Sequence, residues 1–252
     1  MFVNAAIVSA VILTLSAMEF PLVIKYIFAP RQRRHQLCAE YEQRGTKIIF
    51  DLFRVFRGFR LTVTNPRRLD IPAHCMVISN HQSLLDILVL ISLLGIERKP
   101  RFVAKIELRF GVPLVSFTLR KGGHSLIYRH GAPIETMRTI SAMAKTCAKE
   151  QACPAIFPEG TRSRSGALGT FHAAGIRNIL EVEALPVAAI AIDGGWRVAT
   201  IRGFLRRFGK DPYRVEIVKI YDAPRGKHQI ADMLEDAHRE IDASIARMRA
   251  LA

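Results

Sequence analysis

The chain has 252 residues, half of them apolar, which is enough for one α/β domain with a full core and a short appendage. Lys and Arg total 37 against 22 Asp and Glu, a net charge of +15, so the partners to look for are anionic: nucleic acid, anionic lipid or phosphorylated small molecules. Cys38, Cys75, Cys147 and Cys153 form no C-x-x-C pair and have no His at zinc-like spacing, which excludes a recognisable zinc motif and reads as reduced packing thiols.

A mean hydropathy of +0.15 directs attention to membrane contact, and the first elements supply a place for it. Met1 to Met18 carry no charged side chain, Glu19 interrupts, and Phe20 to Ile24 resume the apolar run before Lys25. A signal peptide calls for basic residues ahead of such a run, and none follow Met1. Two membrane readings stay open. A spanning helix needs ~20 apolar residues and reaches that length here only by absorbing Glu19. A helix lying in one leaflet is the other. A buried core helix would leave the cations that follow, Lys25, Arg31, Arg33 and Arg34, unexplained. By the positive-inside rule those cations keep the bulk of the protein on the cytoplasmic side of the inner membrane.

Leu37 to Val63 mixes apolar and basic residues at helical period, with Ile48, Leu52, Phe53, Phe56 and Phe59 among Lys47, Arg54, Arg57 and Arg60. Such a helix suits an anionic lipid surface or packs on the core. Residues 1–63 are therefore expected to form membrane-anchoring helices, with a break at Asn65-Pro66 and the main domain at 64–252. In that domain, strands are expected at Cys75–Ser79, Arg101–Lys105, Ser125–Tyr128, Ala155–Phe157, Val187–Ile192 and Tyr213–Tyr221. Helices are expected at Leu84–Leu94, ending at Gly95, and at Pro133–Lys149, Ala173–Val182 and Gln229–Met248. The alternation predicts an α/β fold with a mostly parallel sheet flanked by helices.

Two stretches carry candidate chemistry. Asn80-His81-Gln82-Ser83-Leu84-Leu85-Asp86 stands where a strand gives way to a helix, and ligands of open α/β sheets bind beyond the carboxyl ends of strands. Ser83 as N-cap and Asp86 three residues on make a capping-box-like pattern, which leaves His81 unexplained. On one continuous helix His81 and Asp86 would point about 140° apart. With His81 just outside the helix, its ring can fold back so that the carboxylate fixes the tautomer and leaves one ring nitrogen as a base. Phe157-Pro158-Glu159-Gly160-Thr161-Arg162-Ser163 also follows a short strand. Gly160 permits positive φ or a close backbone approach, and Arg162 offers a fork of donors matched to phosphate or carboxylate.

His81 and Asp86 with four residues between them, followed by Phe157 to Arg162, resemble the glycerolipid acyltransferase family, above all its 1-acyl-sn-glycerol-3-phosphate acyltransferase branch. Lys105-Ile106-Glu107-Leu108 resembles the Lys-x-Glu-Leu segment that leads towards an Arg, here Arg129. Leu185-Pro186-Val187 resembles the Val-Pro-Val/Ile block, and Phe171 to Gly175 a Phe-x-x-Gly stretch with its Gly one residue late. These blocks span about Asn80 to Ile192 in the family's order. Tyr128 stands where an acidic residue often precedes the Arg, which leaves the acceptor head group open.

The resemblance implies a glycerolipid-acyltransferase-like sheet with an N-terminal membrane-associated helical appendage, and transfer from an acyl thioester to the free hydroxyl of 1-acyl-sn-glycerol-3-phosphate, giving phosphatidic acid. It implies His81 as general base and Asp86 as its partner. Arg129, Arg162 and Lys105 would hold the acceptor phosphate, with Glu159, Gly160 and Thr161 shaping that site. The implied partners are a lysophospholipid acceptor, an acyl-CoA or acyl-acyl carrier protein donor, and an anionic membrane surface; no metal and no cofactor are called for. Another lysolipid, such as a lyso-ornithine lipid, is the alternative acceptor, and a non-catalytic lipid-binding membrane protein the alternative class. No nucleic-acid partner is expected, because the aromatics do not interleave with Lys and Arg in any known module.

Overall fold

The computed structural model of the chain describes residues 2–128, 132–209 and 211–250. Among these, β1 (Leu61–Thr64), β2 (Met76–Ser79), β3 (Arg101–Lys105), β4 (Ser125–Ile127), β5 (Pro154–Ile156), β6 (Val187–Asp193) and β7 (Tyr213–Tyr221) form one sheet, ordered β1-β7-β6-β2-β5-β3-β4. Every neighbouring pair is parallel except β6 with β7. The carboxyl ends of β2 to β6 therefore share one edge. β7 begins at that edge, with Arg214 opposite Asp193.

Alternation along the strands sorts two cores. Cys75, Val77, Ala188 and Ile190 face α1 (Phe2–Phe28), α2 (Arg31–Arg57), α3 (Leu85–Arg98), α4 (Val115–Lys121) and α7 (Ile201–Arg207). Met76, Ile78, Ala189 and Ala191 face α5 (Pro133–Glu150), α6 (Ala173–Val182) and α8 (Gly226–Ala250). All seven residues of β6 are buried, as expected for a central strand covered on both faces.

α1 lies against the body along its length. Its buried positions, Asn4, Ile7, Leu15, Met18 and Leu22, keep to a spacing of three or four residues or its multiples and so form one seam. At one end Asn4 donates to the Phe204 carbonyl (3.0 Å); near the other, Glu19 accepts from the Leu114 amide (3.2 Å). The remaining faces are exposed and apolar. Val3–Phe28 is long and apolar enough to cross a membrane, with a mean hydropathy of 2.1.

The expected helix over Leu37–Val63 starts earlier and stops sooner. α2 ends where Gly58 takes φ 60° and returns its amide to the Arg54 carbonyl, a left-handed stop open to glycine at little cost. The β-branched Thr62, Val63 and Thr64 then run as strand β1, so residues 61–63 belong to the sheet rather than to the appendage. α3 runs on to Arg98, but Gly95 (φ 70°, ψ 179°) breaks its regularity at the residue where the helix was expected to end. The short helices α4 and α7, seven residues each, fall outside the expected elements.

An aromatic cluster ties α2 to the far side of the sheet. Phe53 meets Phe208 at 4.5 Å between ring centroids, Phe59 stacks on Phe208 at 5.5 Å, and Phe59 reaches Tyr213 at 5.9 Å. A polar tie complements it: His124 Nε2 lies 2.9 Å from Glu42 Oε1 on α2. Burial works to raise the Glu42 carboxyl, but the charge and hydrogen bond of His124, then Arg101, outweigh it and hold the group below its usual range. A carboxylate lowered in the folded state stabilises above its unfolded pKa, and that stabilisation is lost as pH falls through the folded value. Stability should therefore fall on acidification below the ordinary glutamate value of 4.5. In Glu42→Gln that part of the slope should be missing when urea midpoints are followed against pH.

Candidate active site

Between the end of β2 at Ser79 and the start of α3, the chain crosses the carboxyl edge of the sheet in a turn pinned on both sides of His81. Asn80 donates to the Ile192 carbonyl and accepts from the Ile192 amide, both at 2.8 Å. Gln82 donates to Asp193 Oδ1 (3.1 Å) and accepts from the amides of Gly195 (3.0 Å) and Trp196 (3.3 Å). His81 itself donates its amide to Glu159 Oε1 (2.7 Å), and its carbonyl accepts from the Ser163 amide (2.7 Å). The backbone that carries the imidazole is thus bonded to β6, to the turn after β6 and to the loop after β5.

The imidazole folds back as its position just before the helix allows. His81 Nδ1 lies 2.9 Å from Asp86 Oδ2, and the ring stacks on Phe157 with centroids 4.0 Å apart. The same Oδ2 accepts the amides of Gln82 (2.6 Å) and Ser83 (2.8 Å), while Oδ1 accepts the Tyr213 hydroxyl. Asp86 thus makes its own half of the capping-box pattern, back to the Ser83 amide, while the Ser83 hydroxyl accepts the Leu85 amide at 3.3 Å and the Asp86 amide bonds the Ser83 carbonyl instead. Asp86 is fully buried and His81 7 % exposed. Four donors on one carboxylate offset the cost of burying its charge. Burial first, and then the Asp86 charge, push the Tyr213 phenol well above its usual range, so it remains a donor. A carboxylate at Nδ1 fixes the proton there and leaves the Nε2 lone pair as a base.

The loop after β5 supports this pair. Glu159 commits both carboxylate oxygens to backbone amides, Oε1 to His81 and Oε2 to Gly169 (2.8 Å). Burial raises its pKa, against the pull of those two bonds. Gly160 takes φ 65°, where a glycine fits, and its amide donates to the Phe157 carbonyl (3.1 Å), so that amide is not spare for an oxyanion. Thr161 is exposed beside it; half-buried Arg162 sends one guanidinium nitrogen to the Ala199 carbonyl (3.3 Å). Lys105 closes β3 at the same edge, two strands from β2, and pairs with Glu107 at 2.9 Å. Arg129 lies outside the described residues. His81, Asp86, Glu159 and Gly160 therefore come together, Thr161 and Arg162 follow on the same loop, and Lys105 stands apart.

Asp193, Tyr213 and Arg249 lie outside both motifs, and Gln82 lies inside one without a part assigned to it. Asp193 ends an otherwise apolar strand, a signal that could have marked it. Tyr213 carries no local signal. Arg249, near the end of α8, donates to Asp193 Oδ1 (2.7 Å) and to the Gly166 carbonyl (2.8 Å), locking the loop that holds Glu159. A Cβ at Gly195 would collide with the Tyr213 hydroxyl, so this close approach requires glycine. All four cysteines are free and buried. Among the described residues, no three His, Cys, Asp or Glu side chains are arranged to hold a metal ion.

A mostly parallel α/β sheet with a carboxylate-oriented imidazole at its carboxyl edge places the chain among α/β proteins whose candidate site lies beyond the strand ends. The family model described as Acyltransferase matches residues 60–193, and the chain belongs to that family. Human 1-acyl-sn-glycerol-3-phosphate acyltransferase beta is 36% identical over 119 residues, 47% of this chain and 41% of that protein. The chloroplastic 1-acyl-sn-glycerol-3-phosphate acyltransferase BAT2 of Brassica napus is 32% identical over 129 residues, 49% of this chain and 34% of that protein. The chain thus spans less than half the length of these curated relatives. The crystal structure of the 1-acyl-sn-glycerophosphate (LPA) acyltransferase PlsC from Thermotoga maritima superposes with a TM-score of 0.74 at 17% identity, covering 99% of this chain and 95% of that one; the fold is shared.

The geometry makes a prediction that needs no substrate. In nitrogen-detected NMR, neutral His81 should be the Nδ1–H tautomer in the native protein. In Asp86→Ala it should shift towards Nε2–H, the form favoured in free imidazole side chains. An unchanged tautomer would show that Asp86 does not set it.

Proposed function

We propose that the protein transfers a fatty acyl group from an acyl thioester to the free hydroxyl of 1-acyl-sn-glycerol-3-phosphate, giving phosphatidic acid. The observation that carries this reading is the buried His81–Asp86 pair at 2.9 Å with Nε2 left as base, in a chain of the acyltransferase family. The names of the curated relatives support the choice of acceptor.

In this mechanism His81 Nε2 takes the proton of the acceptor hydroxyl as that oxygen attacks the thioester carbonyl. Asp86 stabilises the imidazolium that forms. The C–S bond then breaks, and the thiolate leaves with the proton returned from His81. General-base catalysis is worth about 10²- to 10⁴-fold, so positioning must supply much of the rest. Arg129 and Arg162 hold the acceptor phosphate, with Lys105 as a further cation. Glu159 shapes the site by clamping its loop to the His81 backbone, and Gly160 and Thr161 form the turn beside it. The donor is acyl-CoA or acyl-acyl carrier protein, both acidic and matched to the net charge of +15.

We read α1 and α2 as the anchoring part and the chain from β1 onwards as the acyltransferase domain, on the cytoplasmic face of the inner membrane. α1 is held to the body along its whole seam, and its outer face is apolar. That geometry favours a helix lying in one leaflet, since spanning the bilayer would draw α2 and its many cations into hydrocarbon.

His81→Ala should reduce transfer of labelled acyl chains to 1-acyl-sn-glycerol-3-phosphate by at least about a thousandfold, on the scale of losing a general base and its orientation. The variant should still fold and sediment with vesicles; near-normal turnover would sink the assignment. Arg162→Ala should raise KM for the lysophospholipid about tenfold or more, as expected for loss of a charged hydrogen bond, with little change in KM for the thioester. Equal effects on both would assign Arg162 to the fold instead.

A further inference from the structure

The segment between β3 and α4 crosses the same sheet edge as the His81 turn, and it leaves apolar side chains in the open. Phe110 is 61 % exposed and Val112 38 %, whereas Leu114 is buried. Leu114 takes φ 61°, ψ −55°, a conformation non-glycine residues rarely hold without support from their surroundings. The support comes from α1 and α2. The Leu114 amide bonds Glu19, its side chain lies beside Gly45, and Phe117 meets Tyr26 edge-on at 5.3 Å. Residues 110–114 are thereby fixed beside the end of α1 that exposes Phe20, Ile24, Ile27 and Phe28.

Cations accompany these aromatics. The guanidinium of Arg109 stands 5.0 Å and that of Arg120 4.6 Å from the Phe110 ring centroid, and Arg120 also donates to the Arg109 carbonyl. Nearby, Arg34 covers the partly exposed Tyr26 at 5.0 Å. Aromatic rings at the apolar boundary, with basic groups within reach of phosphates, are the arrangement of a membrane–water interface.

We propose that the loop Phe110–Val112 is a second membrane-contacting element, separate from α1. It sinks Phe110 and Val112 into the interfacial layer of an anionic leaflet, with Arg109 and Arg120 against lipid phosphates. It thereby sets the carboxyl edge of the sheet, and the site on it, against the bilayer. The occupant is lipid because the patch continues the exposed apolar face of α1 and carries the positive charge that anionic head groups attract. The proposal rests on the reading that α1 lies on a membrane.

The test uses the full chain with vesicles of phosphatidylcholine and about one-third phosphatidylglycerol. In a Trp196→Phe background, Phe110→Trp should show a blue-shifted indole emission that brominated lipids quench. Phe20→Trp in the same background reports on α1. Quenching at both positions supports the proposed loop contact. Quenching at position 20 without quenching at 110 overturns the loop contact and leaves the α1 reading standing, while no quenching at either overturns both. The double variant Phe110→Ser, Val112→Ser should lose about tenfold in vesicle partitioning, the scale of two side chains withdrawn from an interface. It should acylate lysolipid dissolved in detergent micelles at the normal rate. Unchanged partitioning of that variant would overturn the proposal, whatever its acyltransferase activity.

Discussion

A carboxylate with no solvent exposure has to be surrounded by donors, and much of the site follows from how Asp86 meets that requirement. Two of its donors are backbone amides of its own turn, which fixes the turn. One is the imidazole, which fixes the ring. The last is a phenol 127 residues further along the chain, which fixes β7 against α3. Satisfying the charge and shaping the site are therefore one set of contacts. Removing any donor leaves the others to hold a charge that water cannot reach.

The same economy runs through the supporting residues. Asn80, Gln82 and Glu159 each spend side-chain polar atoms on backbone amides or carbonyls of a different element. Bonds of that kind transmit position well, because the backbone at a strand end moves only with its sheet. The aromatic cluster of Phe53, Phe59 and Phe208 extends the chain of contacts from Tyr213 to α2. The N-terminal helices are thus packed, ring against ring, onto a residue that touches the Asp86 carboxylate.

The parts of this arrangement that are local in sequence were legible in it. Apolar runs marked β2 and β6, alternation marked β7, an amphipathic pattern marked α8, and the five-residue separation of His81 and Asp86 at a strand-to-helix junction anticipated the fold-back that the structure displays. What could not be read was set at long range or by short elements. β1 looked like a continuation of α2 until Gly58 stopped the helix. α4 and α7 are too short for periodicity to stand out. Glu159 read as shaping the acceptor site, but the amides its oxygens hold depend for their positions on the whole sheet. Tyr213 and Arg249 matter only because β7 and α8 return to the edge where β2 ends, and that return is a property of topology.

The reversed course of β7 bears on biosynthesis. A nascent chain that has left the ribosome as far as residue 212 already contains His81, Asp86 and Glu159, yet lacks the phenol that completes the carboxylate's shell, and it must add α8 before Arg249 can secure Asp193. Its greasy leading helix emerges long before either. The apolar helix is therefore exposed first and the carboxylate's shell is closed last, so the finished site depends on the latest part of synthesis.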